Sequence, residues 1–497
     1  MYAMDGSPRL RSSTRWLTAL GATALLVAAC SSGDQPATPT LSEDAGDNRA
    51  GYYDTVWPSE HADRWRTHAV EGGLPADVTS ADLSAESFKV SASPMWGYTR
   101  DDYAYVIGGS PVSLSIFDRL AGGKPSKTKD QTPYVARLDP ATGESRELQL
   151  TQGSALNYTG GLLMHENGSI YAVAQSVLYK IDAESFSIKA SQPLPSLTSD
   201  GKDVRGTAYN GIQVRENGQL ILKGFDLTGK TPGGILLLID PDTLETKART
   251  DSPDVASARL TLSVQDGTEW LYHSTPNDSV RFEVTDSGFT LDDSWTAQFL
   301  SPDQKGASQA SSPVYLDQSN AVVFANNTLP FKVTTPMQIY SQATNASPPA
   351  GQLPSQDAFA ESNRQINFFM VAADAFESDI VAVSDQVHGY VAGWQVDEEG
   401  GLTRLWSSDE YRSSAGLAIA YDKGHLYVDD RRCDSSGEDC ELWLVVLDLK
   451  TGEQLAEVQV KGSSPSVAQM FVSADSVYLI ASEIGQEQAY VNRVHVP

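Results

Sequence analysis

The side chains that could do chemistry in this 497-residue chain are few and scattered. Its histidines are His61, His68, His165, His273, His388, His425 and His495, and only His61 and His68 are close enough in sequence to suggest a metal pair. His165 and His425 fall beside tight turns and are expected to face solvent. A Gly-x-Ser-x-Gly nucleophile elbow, a Gly-rich phosphate loop, a His-Glu-x-x-His helix and an EF-type calcium loop are all missing. The cysteines are Cys30, Cys433 and Cys440. Two thiols with no histidine nearby, as at Cys433 and Cys440, make a poor zinc site. In an oxidising compartment they would instead pair across a local loop. Closing about eight residues contributes about 2.5 kcal/mol in the chain-entropy picture, so such a bond would staple a loop and no more.

Any site must be positioned by a turn that recurs eight times between short strand-forming runs. Examples are His165-Glu-Asn-Gly-Ser-Ile-Tyr171, Arg215-Glu-Asn-Gly-Gln-Leu-Ile221, Gln265-Asp-Gly-Thr-Glu-Trp-Leu-Tyr272 and Asp422-Lys-Gly-His-Leu-Tyr-Val428. A period of roughly fifty residues with Asn-Gly or Asp-Gly turns is what one four-stranded propeller blade requires. A second signature, Val135-Ala-Arg-Leu-Asp-Pro-Ala-Thr-Gly143 or Val445-Val-Leu-Asp-Leu-Lys-Thr-Gly452, marks the third strand and its turn. Its aspartate can accept backbone N–H bonds within the turn, so these aspartates are structural. The last repeat stops after three strands, and a missing outer strand would leave a bare edge. Phe88-Lys-Val-Ser-Ala-Ser93 is a suitable donor for it. The expectation is an all-β propeller over residues 86–497, with eight four-stranded blades (seven as the fallback), closed by an N-terminal strand.

The first 29 residues stand outside that pattern. Arg9, Arg11 and Arg15 precede an apolar run that is too short to span a bilayer as a mature helix. It ends in Leu26-Val-Ala-Ala-Cys30, which resembles the bacterial lipobox, and that resemblance implies lipidation at Cys30 after removal of residues 1–29 as a signal peptide. The expected address is the cell envelope, at the periplasmic face of the outer membrane where the host has two membranes. Residues 30–50 are polar, acidic and Pro-containing, as in a flexible tether. Residues 51–85 interleave Tyr52, Tyr53, Trp57 and Trp65 with His61, Asp63, Arg64, Arg66 and His68. They read as a strap packed on the propeller, with His61, Asp63, Arg64 and His68 as a binding element in the alternative. The net charge is −28, from 64 acidic and 36 basic residues, which disfavours nucleic acid as a partner.

In a propeller the A–B and C–D turns emerge on one face and the B–C and D–A loops on the other. The turns here are short, whereas the insertions Gly109 to Thr132, Gly224 to Gly234 and the cysteine loop fall on the opposite face, with Ser341 to Asn363 read as a D–A linker. Long loops on a rigid scaffold are where binding residues concentrate. The inner strands line the channel, and their first residues lie at that same face. The candidate channel residues are Asn157, Tyr158, Tyr209, Asn210, Ser311, Ser312, Tyr411 and Arg412.

Two resemblances meet there. Asn210-Gly-Ile-Gln-Val-Arg-Glu-Asn-Gly218 is similar to a segment of gluconolactonase-type and strictosidine-synthase-type propellers. That likeness implies a divalent metal, calcium for example, with Asn210 as a ligand. The Leu-Asp-Pro-Ala-Thr-Gly-Glu and Leu-Asp-Leu-Lys-Thr-Gly-Glu units resemble the repeats of the eight-bladed quinoprotein-like superfamily, which contains pyrroloquinoline-quinone dehydrogenases and non-catalytic envelope lipoproteins. The dehydrogenases' docking tryptophan is replaced here by Glu147 and Ala456, and their vicinal cysteine pair is absent, so no bound quinone is expected. The expected function is a monomeric, lipid-anchored, non-catalytic propeller for an envelope protein, peptide or glycan. A metal-dependent lactonase or esterase is the alternative.

Overall fold

The computed structural model describes residues 48–91, 93–109, 132–151, 158–227, 231–252, 258–300, 308–328, 337–359, 371–385, 389–413, 416–434, 440–465, 470–482 and 488–497. Residues 1–47, and with them Cys30, lie outside this range, as do Asn157 and most of the insertion after Gly109.

Eight blade sheets follow one another along the chain, with a two-stranded ribbon of Thr198–Ser199 and Lys202–Asp203 between the second and third, and among the described residues the single helical element is a 3-10 turn at Tyr421–Lys423. Blade 1 consists of Pro94–Arg100, Tyr103–Gly108, Tyr134–Asp139 and Glu144–Gln149, taken from the inner strand A to the outer strand D. Blades 2 to 7 repeat this plan. In blade 5 strand A is split into Ser308–Ala310 and Val314–Leu316, and strand D shrinks to Gln356–Asp357. Blade 8 draws its first three strands from the C-terminus and its fourth, Ser84–Ser91, from the N-terminal side. That strand pairs antiparallel with Gln488–His495, from Ser84 opposite His495 to Ser91 opposite Gln488. The eight-bladed, strand-closed ring expected from the repeats is the observed fold.

Burial follows position in the blade. Strand A of blade 2, Thr159–Met164, is buried throughout, whereas strand D of blade 1, Glu144–Gln149, is exposed or half-buried throughout. The apolar core is therefore not central but distributed between neighbouring blades. Leu163, Tyr171, Leu178, Tyr209, Val214 and Leu237, for example, form one cluster joining blades 2 and 3. Close approach there demands glycine, since a Cβ on Gly97 would fall 1.9 Å from the ring of Phe471 across the blade 1–blade 8 seam.

The repeat aspartates behave as turn residues. Asp139 Oδ1 accepts from the N–H groups of Ala141 (2.9 Å) and Thr142 (3.3 Å), and Asp240 and Asp448 do the same in blades 3 and 7. Two readings need correction. Ser341 to Asn363 is not a D–A linker, because residues 344–355 form the C–D connection of blade 5 and residues 356–357 its outer strand. His165 and His425 do not face solvent. Both are buried, and His165 Nε2 lies 2.8 Å from the carbonyl of Gly218 in the next blade's turn.

Candidate functional site

The turn-side part of the channel is filled by the chain itself. Residues 57–70 run around its inside, and their carbonyls accept N–H bonds from one inner strand after another. Thr99 of blade 1 donates to Trp57 (3.0 Å), Met164 of blade 2 to Pro58 (2.8 Å) and Leu262 of blade 4 to Arg64 (2.9 Å). Tyr315 of blade 5 donates to Trp65 (3.1 Å), Ala373 of blade 6 to Thr67 (2.8 Å) and Ile419 of blade 7 to His68 (2.9 Å). Blade 3 contributes through its side chain, with Gln213 Nε2 donating to Arg64 O at 3.3 Å. Blade 8 accepts through Ser473 O, from Gly73 N at 2.9 Å. Ala69–Val70 also pairs in parallel with the inner strand of blade 7. Turning within so narrow a bore puts Ala62, Arg66 and His68 at φ of 72°, 66° and 57°, the left-handed region that non-glycine residues seldom occupy.

This plug carries a buried polar network. Glu60, with its side chain fully buried, lies 3.3 Å from Arg66 Nη1 and 3.5 Å from Arg259 Nε. Arg66 also donates from Nε to Leu260 O (2.7 Å) and lies 3.0 Å from His61 Nδ1. His61 and His68 stack with centroids 4.5 Å apart. Burial, reinforced by Arg66, holds both imidazoles neutral: His68 titrates at about 3 and His61 well below its ordinary value. Asp63 accepts from Thr67 Oγ1 (2.6 Å) and Asn48 Nδ2 (3.2 Å), while burial pushes its carboxyl above the usual range. Gly161, at φ 145°, makes room for Glu60, because a Cβ there would stand 2.6 Å from Glu60 Oε1.

The candidate channel residues are partly brought together. Asn210 Nδ2 donates to the hydroxyl of Tyr158 at 3.1 Å, and Tyr158 packs edge-on against Phe225. Asn210 is the cross-strand partner of Lys223, whose buried ammonium donates to Ala258 O and whose pKa burial, then Arg259, drives well down. Ser312 Oγ accepts from Arg259 N at 2.5 Å, and Ser311 Oγ accepts from Ala325 N at 2.9 Å. Tyr209 does not join them, for it lies in the apolar seam between blades 2 and 3 and donates to Pro195 O. Tyr411 and Arg412 belong to blade 7, where Arg412 N donates to Asp430 Oδ1 at 3.0 Å. Cys433 and Cys440 are disulfide-bonded and pair across the end of the B–C hairpin of blade 7.

The chemistry of these residues is mainly structural. Ser311 and Ser312 oxygens are occupied by backbone donors, and the surroundings of Asn210 are basic. Among the described residues no three His, Cys, Asp or Glu side chains are grouped so as to hold a metal ion. Sequence reasoning missed Glu60, Lys223 and Arg259. Only the Gly160-Gly161 pair hinted that something approaches the inner strand of blade 2.

No known protein family matches the sequence, and no curated protein is similar to it. Solved structures share its fold. A quinohemoprotein alcohol dehydrogenase of Pseudomonas putida HK5 superposes with a TM-score of 0.57 at 11% identity, covering 89% of this chain and 80% of that one. The quinohemoprotein alcohol dehydrogenase of Comamonas testosteroni gives 0.55 at 11% identity, with 89% and 81% covered. A europium-containing methanol dehydrogenase gives 0.51 at 10% identity, with 88% and 98% covered. The chain thus shares its fold with these dehydrogenases. Identities this low speak for the fold alone.

Proposed function

We propose that this chain is a lipid-anchored envelope propeller that binds a protein, peptide or glycan without catalysing a reaction on it. The observation that carries the reading is the plug. In a propeller the inner strands converge on the channel, and here residues 57–70 occupy its turn-side part and bond to blade after blade. The polar side chains nearest the other mouth support it, because Ser311, Ser312 and Tyr158 are engaged in bonds within the ring. Arg259, whose charge helps to lower the pKa of Lys223 beside Asn210, would likewise oppose a divalent cation there, which argues against a metal-dependent hydrolase. The anchor rests on the Cys30 motif, and the acidic composition suits a soluble envelope domain.

Two measurements test the reading. Cys30→Ser is expected to shift the protein from the membrane to the soluble fraction and to abolish labelling by palmitate, and unchanged fractionation would remove the anchor. Purified protein is expected to hold no stoichiometric calcium and to leave lactones intact. Turnover that is lost in Asn210→Ala would establish the hydrolase instead.

A further inference from the structure

The long C–D connection of blade 5 builds a cleft on the turn face, away from the loop face and the channel. Every other described C–D connection is short, while residues 344–347 of this one stand beside blade 4 and line an open cleft of about 330 Å³. This is at the small end of the range for small-molecule sites. Both ends of the connection are tied down. Thr344 N donates to Asn320 O at 2.8 Å, and Leu353, which is buried, donates its N–H to Gln298 O at 2.6 Å. Between them runs Asn345-Ala-Ser-Pro-Pro-Ala-Gly351, whose two prolines stiffen the rim.

The wall toward blade 4 is locked as firmly. Arg281 donates to Asp292 Oδ2 from Nε at 2.8 Å and to Thr344 O from Nη1 at 2.8 Å, so one guanidinium ties the blade to the insertion. It also lies over the ring of Trp270 at 4.1 Å and near that of Trp295 at 5.3 Å. Trp270 remains half-exposed in the cleft. Beside it stand polar groups with nothing to bond among the described residues. Asn345 and Asp266 are exposed and make no hydrogen bond. Asn320 uses Oδ1 to accept from Thr344 and Tyr315, which leaves its Nδ2 donors to the cleft.

We infer that this cleft binds a neutral glycan, one or two sugar units at a time. A sugar needs both donors and acceptors on planar side chains together with an aromatic surface for its C–H groups, and Asn345, Asn320, Asp266 and Trp270 supply that combination. Asp266 and Asp317 oppose a phosphate or carboxylate, whereas Arg281 is already paired with Asp292, so a cationic side chain is the competing occupant. Because both walls are fixed by bonds within the ring, binding costs little ordering of the protein.

The inference narrows the glycan part of the function proposed above to this cleft, and its failure would leave protein or peptide binding at the loop face standing. The test is an array of neutral oligosaccharides, including maltotriose, cellotriose and N-acetylchitotriose, presented to the full chain. Saturation-transfer NMR gives contact and titration gives affinity, with the tripeptide Gly-Arg-Gly run beside them. Saturable binding of a neutral glycan is expected, weakened about tenfold or more by Asn345→Ala. That substitution is at an exposed position and leaves the fold intact, and Asn320→Ala serves as a second variant whose folding is checked by its melting curve. Three outcomes overturn the inference: no neutral glycan binds saturably, binding is indifferent to both substitutions, or only the cationic peptide binds.

Discussion

His68 shows how a single buried side chain ties stability to pH. Its imidazole is neutral in the fold, with a pKa of about 3 set first by burial, whereas an unfolded histidine titrates near 6.5. The unfolded state therefore binds the extra proton as pH falls, and native stability declines between pH 6.5 and about 3. His68 alone predicts a loss of about 3 kcal/mol between pH 6.5 and pH 4, measurable as a lower denaturant midpoint. His68→Gln should flatten that slope. Asp379 has the opposite sense. Burial raises its carboxyl to about 6, although Ser319 N donates to it at 2.7 Å. A raised carboxylate pKa favours the fold at low pH and weakens it as pH rises through 6. Asp379→Asn keeps an acceptor and tolerates the φ of 48°, so it is expected to stabilise the protein at pH 7 by about 1–2 kcal/mol and to change nothing at pH 3.5. Neither effect was legible in the sequence. Each depends on which groups lie overhead, and His165 and His425 were placed in solvent for the same reason.

Among the elements, the plug departs furthest from what the sequence suggests on its own. Residues 51–85 carry no repeat, so periodicity could say only that their aromatics pack on something. The left-handed residues Ala62, Arg66 and His68 bear no mark of that conformation, and the bonds that hold them come from strands up to several hundred residues away. Trp65 is fully buried against Tyr315 and Phe376, with ring centroids 5.3 and 5.8 Å away. Trp65→Ala is expected to cost about 3–5 kcal/mol. A chain starting at residue 75 would lose the carbonyls that six inner strands bond to, and it should show a lower melting temperature or fail to fold. A melting temperature unchanged by that truncation would make the plug an accessory. The insertion at residues 344–355 was misplaced for a related reason: strand D of blade 5 is only two residues long, too brief to register as a strand in the sequence.

At the scale of the whole molecule, the ring depends on one strand brought from the far end of the chain. Removing Ser84–Ser91 would expose the full length of Gln488–His495 as an unpaired edge. Such a truncation is expected to form concentration-dependent aggregates, detectable by light scattering, while the intact protein does not. The turns and a ring of eight blades, with seven as the fallback, were legible in the chain because each blade is a local unit whose hydrogen bonds and turn residues recur at a fixed spacing, and the closing strand because the last repeat lacks its outer one. The tertiary structure alone decided that the channel is filled and that a cleft opens between blades 4 and 5. The plug meets strands far along the chain, and the cleft forms where the irregular 344–355 connection stands against the neighbouring blade; neither carries a period to read.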